Sequence, residues 1–132
     1  MTDDDFVSAF LACRLSPDDF GHGAHLRIAW LLVRRHPLPH AIETICDGLE
    51  RIAQHFGVPA KYNRTVSEAL VRLVAHAIAG GPADATFEEF VRANVPLVND
   101  VRGVLAQYYS AGLLHSADAR QRFVMPDRRT LP

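Results

Sequence analysis

Lysine is almost missing from this chain. Lys61 is the one lysine among 14 basic residues, and the rest are arginine. Arginine keeps its charge and offers a planar fork for a carboxylate or phosphate, although a GC-rich genome writes the same bias. Charge of one sign is missing too: 15 acidic residues offset the 14 basic ones, for a formal net charge of −1. No overall field therefore recruits nucleic acid or another polyanion. The two cysteines, Cys13 and Cys46, have neither CxxC nor metal-ligand spacing, which excludes a disulfide framework and leaves buried reduced thiols. The longest apolar run, near Ile28 to Val33, is far short of the ~20 residues that span a bilayer. No segment alternates with a period of two, so strands are not expected. GxGxxG, Walker A, GxSxG and HExxH are absent, which removes the usual nucleotide, hydrolase and metalloprotease readings. Asp3, Asp4 and Asp5 follow Met1 where a signal peptide would be basic and then apolar, so a cytoplasmic protein is expected.

What is present is helical periodicity. Phe6, Phe10 and Leu11 predict a short helix over 4–14, and Ser16-Pro17-Asp18-Asp19 reads as a helix start. A second helix is expected over about 22–36. The third is the clearest, with Leu38, Ala41, Ile42, Ile45, Cys46, Leu49, Ile52, Ala53 and Phe56 on one face, opened by Pro37 and Pro39 and closed by Gly57. Thr65-Val66-Ser67-Glu68 reads as a capping box for a helix over 65–79, and Thr86 to Glu89 as another for a helix that Pro96 ends. Asn99-Asp100 starts a further helix, and a last one covers about 115–123. The expectation is an all-α, single-domain bundle of about six short helices over 1–132, with 123–132 as a C-terminal tail.

The residues with most chemical promise are His22 and His25. At 100° per residue they share the face of Leu26, Ala29, Leu32, Val33 and His36, opposite Arg27, Leu31, Arg34 and Arg35. A helix N-terminus and burial both disfavour imidazolium, leaving the neutral ring that acts as a base or binds a metal. Two histidines are half of a catalytic zinc site, and neither Asp47, His76 nor Asp127 is singled out as a third ligand. A divalent transition metal on His22 and His25, acid–base or substrate-binding use, and plain structural histidines all stay open. Lys61-Tyr62-Asn63-Arg64-Thr65 gathers donors just before a helix, where an anion could sit or Asn63 or Thr65 could simply cap. Tyr108, Tyr109, Ser116, Arg120 and Asp127 form a polar series, in which a buried Arg120 would need Asp127 or a substrate acid as its partner.

Three segments, Phe20-Gly21-His22-Gly23-Ala24-His25-Leu26, Lys61-Tyr62-Asn63-Arg64-Thr65, and Ser116 to Arg120 through Phe123-Val124-Met125-Pro126-Asp127, give the chain its resemblance to other proteins. It resembles an uncharacterised family of small bacterial all-helical proteins with a Phe-x-His-x-x-His-Leu element and a Lys-Tyr-x-x-Thr element. The resemblance implies a histidine after the tyrosine, where this chain has Asn63. That departure argues against a three-histidine metal site and leaves hydrogen bonding or capping at this position.

The function expected from these residues is a small cytoplasmic enzyme, or degenerate enzyme, acting on a small polar or acidic molecule in an interhelical pocket. His22, His25 and Tyr62 would be its catalytic groups, and Asn63, Thr65, Tyr108 and Arg120 would bind substrate. The alternative is a non-catalytic helical interaction domain, one that could form a homodimer, with structural histidines. Neither nucleic acid nor membrane is an expected partner.

Overall fold

The chain folds into nine helices and no strand, in a computed structural model that describes all 132 residues. The all-α class is as expected, but the helices are more numerous than six, because turns divide the last third of the chain into short pieces. No helix is long and apolar enough to cross a membrane. Two compact units divide the chain, Met1–Tyr62 and Asn63–Pro132.

In the first unit, α1 runs Asp3–Leu11 from a capping box. Thr2 Oγ1 accepts the Asp5 N–H, and the Asp5 carboxylate accepts the Thr2 N–H. These bonds hold the Asp5 carboxyl below its usual range. The helix stops short of residue 14 because Cys13 turns left-handed, at φ 55°, and Arg14 N–H closes back on Ala9 O. Ser16 to Asp19 form a turn rather than a helix start: Ser16 Oγ caps Asp19 N–H, but Gly21 is extended and helical geometry resumes only at His22.

α2 is His22–Arg35 and α3 is Leu38–His55. Buried residues of α2 include Ile28, Trp30 and Leu31 as well as Leu26, Ala29 and Leu32, so its apolar surface is wider than one stripe. α3 keeps the expected face, burying Ala41, Ile42, Ile45, Cys46, Ile52 and Ala53 and packing on α2. Phe56 lies beyond its end and is 40% exposed. Gly57 takes φ +71°, the left-handed residue that stops this helix. Phe6, Phe10 and Phe20 stack with ring centroids 6.0 and 5.4 Å from the Phe20 ring. The fully buried Phe10 ring lies against Gly48, where a β-carbon would overlap it.

In the second unit α4, Arg64–Ala79, is followed by α5 (Phe87–Ala93), α6 (Val95–Asn99), α7 (Val101–Ala106), α8 (Ala111–Leu114) and α9 (Ala117–Gln121). Asn63, not Thr65, is the N-cap of α4: its Oδ1 accepts Val66 N–H at 3.0 Å. The helix thus starts before Thr65, and the capping box read at Thr65–Glu68 does not form. Thr86 does cap α5, accepting Glu89 N–H. Pro96 sits in the first turn of α6, so it begins a helix as well as ending the preceding one. The last helix, expected over about 115–123, is α9, and α8 before it is a further short helix that periodicity did not predict; each has its own serine cap, Ser116 and Ser110. α4 packs on α7 and α9.

Candidate functional site

His25 sits in the first turn of α2, half-buried. Its Nδ1 lies 2.9 Å from the carbonyl oxygen of Gly21. A carbonyl can only accept, so Nδ1 carries the hydrogen and donates it. In the neutral ring the lone pair is then on Nε2. The Phe20 ring meets the imidazole edge-on, with centroids 4.6 Å apart. Burial pushes the His25 pKa down; the Gly21 bond opposes this and nearby His22 adds to it. A neutral ring with a fixed tautomer can accept a hydrogen bond or a proton at one defined atom. His22, the first residue of α2, is also half-buried.

Tyr62 closes the first unit, half-buried after a 3₁₀ turn at Pro59–Lys61, with its N–H on Pro59 O. The other expected site residues belong to the second unit, where several carry structural bonds. Asn63 caps α4 with Oδ1, and its Nδ2 donates to Leu114 O at 2.8 Å. Thr65 is fully buried; its hydroxyl donates to Arg122 O at 2.8 Å and accepts Val124 N–H at 3.1 Å. Tyr108 is half-buried, and its carbonyl accepts Arg128 N–H. Arg120 is exposed rather than buried. Asp127 is held by Ser110, whose N–H and Oγ–H donate at 2.7 and 2.6 Å and keep its carboxyl below the usual range.

Sequence reasoning missed the most constrained charges in this unit. Glu68 is 5% exposed and lies between two arginines one turn away on either side. Arg64 Nε and Nη2 donate to Oε1, and Arg72 Nε and Nη2 donate to Oε2. Arg72 also lies over the Phe123 ring, 5.1 Å from its centroid. The i, i+4 spacing on both sides was the available signal, obscured by reading Glu68 as half of a capping box. Tyr109, one of the polar series expected near the C-terminus, is 1% exposed and donates to Val124 O at 2.7 Å. Burial, aided by the charge of Glu68, pushes its pKa up to about 12.

No group of three or more histidine, cysteine, aspartate or glutamate side chains gathers in a form that could hold a metal ion. His22 and His25 therefore have no third protein ligand beside them, and a catalytic zinc site of the three-ligand kind does not fit these residues. A shallow, open depression of about 400 Å³ lies along Thr44, Asp47, Glu50 and Arg51 of α3, and neither imidazole lines it.

The helices define an all-α protein. No protein-family model matches the chain, no curated protein matches it, and no solved structure matches it. Its function is to be inferred from its own residues.

Proposed function

We propose that the protein binds a small polar molecule at the start of α2, and that it is an enzyme in which His25 takes or relays a proton through Nε2. The observation that carries this is the 2.9 Å bond from His25 Nδ1–H to Gly21 O, which fixes the tautomer of a ring that burial keeps neutral. Such a ring suits a ligand that presents a hydroxyl or N–H, not one held by charge alone. His22, one turn earlier, would orient the ligand, with Tyr62 as a further hydrogen-bonding group. The resemblance to a bacterial family and the two free cysteines fit a bacterial cytoplasmic protein.

The test is a thermal-shift screen of small hydroxylated and amine-bearing metabolites against the full chain and a His22→Ala/His25→Ala double variant. At least one compound is expected to stabilise the native chain and leave the folded double variant unmoved. A screen with no stabilising compound, or equal shifts in both proteins, contradicts the reading.

A second reading, a self-associating interaction domain, is favoured by the apolar side chains at either end of α1: Met1 is 77% and Leu11 41% exposed. A dimer in light scattering that Leu11→Glu dissolves supports it, and a monomer at all concentrations rejects it.

A further inference from the structure

His36 and His40 bracket the corner between α2 and α3. His36 ends α2 in extended conformation, at φ −138° and ψ 158°, and His40 lies in the first turn of α3. Both side chains are exposed, yet their rings stand 4.8 Å apart between centroids, tilted by 53°. The backbone beneath them is fixed from both sides. His36 N–H bonds Leu32 O, Ala41 N–H bonds Pro37 O, and the rings of Pro37 and Pro39 restrict φ at two of the three positions between the histidines. A ring pair of this separation is ordinary packing, and it also brings two metal-ligating side chains to one exposed corner.

A metal ion supplies the scale for comparison. A zinc ion bound about 2.0–2.1 Å from a ring nitrogen lies roughly 3.2 Å from that ring's centroid, so two imidazoles at angles of about 90–109° around it have centroids about 4.5–5.2 Å apart. The observed 4.8 Å falls inside that interval. Nearby cations are engaged elsewhere: Arg35 is paired with Asp4 at 3.0 Å, and Arg34 lies over the Trp30 ring. No carboxylate is part of the pair, which favours imidazole-seeking ions over calcium or magnesium.

We propose that His36 and His40 form a two-imidazole surface clip for a borderline divalent ion such as zinc, nickel or copper(II), with water completing its coordination. Unlike a catalytic site, such a clip needs no third protein ligand, and it binds reversibly. It is separate from His25, so its test does not depend on the ligand of α2.

The experiment titrates zinc chloride into the tag-free full chain at neutral pH, by calorimetry and by histidine-ring NMR. One ion per chain is expected, with the His36 and His40 ring signals moving together. His36→Phe and His40→Phe keep an aromatic ring at the corner but remove the ligand, and each is expected to weaken binding by roughly tenfold or more. A His55→Ala/His76→Ala variant, lacking two other exposed histidines, is expected to bind as the native chain does. Absence of saturable binding overturns the proposal, as does binding that survives either Phe substitution in a protein whose circular dichroism is native.

Discussion

Thr65 Oγ1 accepts the N–H of Val124 at 3.1 Å, although the two residues are 59 positions apart. The same hydroxyl donates to Arg122 O, so one side chain in the first turn of α4 fastens the chain just after α9. Around it Tyr109 donates to Val124 O, Ser110 holds Asp127, and Arg128 reaches Ala106 O and Tyr108 O. The C-terminal tail, which carries no helix, is part of the second unit because of these bonds.

Replacing Thr65 by valine keeps the volume and removes both bonds. The buried Val124 N–H loses its acceptor and Arg122 O its donor, a cost of about 2 kcal/mol. Chemical denaturation is expected to show that loss, and limited proteolysis to cut the tail of Thr65→Val first.

Tyr109 makes a second fastening with a pH signature. Its folded pKa, about 12, stands above the ordinary tyrosine value of 10.0. Above pH 10 the unfolded chain gives up this proton before the folded one does, so the contribution is complete below pH 10 and is lost as pH rises towards 12. Tyr109→Phe is expected to cost about 1–2 kcal/mol at neutral pH, because Val124 O loses its donor. It is also expected to flatten the alkaline limb of stability against pH.

The Arg64–Glu68–Arg72 triad should respond asymmetrically. Glu68→Ala leaves two guanidinium groups without their shared carboxylate, and the cost is about 2–3 kcal/mol, reduced because the Arg72 side chain is 39% exposed and finds water. Arg72→Ala leaves Glu68 with Arg64 and is expected to cost about 1 kcal/mol or less. Equal losses in urea unfolding would contradict the account.

At Gly48 the same reasoning applies to packing. Alanine is the better helix former by about 1 kcal/mol, yet its β-carbon would overlap the tip of the Phe10 ring, which is fully buried. Gly48→Ala is expected to destabilise by about 1–2 kcal/mol net, and Phe10→Leu in the same chain to recover part of that loss. Additive losses in the double variant would contradict it.

Periodicity made the long helices legible: α2 and α3 lie close to where spacing, proline and Gly57 place them. The short ones were harder to read, because a four- or five-residue helix shows no repeat and is defined by its cap, as at Ser110 and Ser116. Thr65 shows the ambiguity. A threonine three residues before a glutamate has the form of a capping box, but Asn63 takes the cap two positions earlier and leaves Thr65 for the tail and Glu68 for its arginines. Bonds between residues some 50–60 positions apart leave no local pattern. The pairing of His25 with Gly21 is local, four residues apart, and the position of the histidine at a helix start was the signal for a neutral ring.

His25 is central to the functional account, and its protonation is measurable. Its folded pKa lies below the ordinary histidine value of 6.5, so between the two the unfolded chain binds the proton that the folded chain refuses. Stability is therefore full above pH 6.5 and falls as pH drops from 6.5 towards the folded pKa, and His25→Gln removes that slope. The most direct measurement is a long-range proton–nitrogen NMR correlation of the His25 ring, followed through a pH titration. The account predicts a neutral ring at pH 7 with hydrogen on Nδ1, a lone pair on Nε2 and a midpoint below 6.5. Hydrogen on Nε2 in the neutral ring, or a midpoint at or above 6.5, would contradict it.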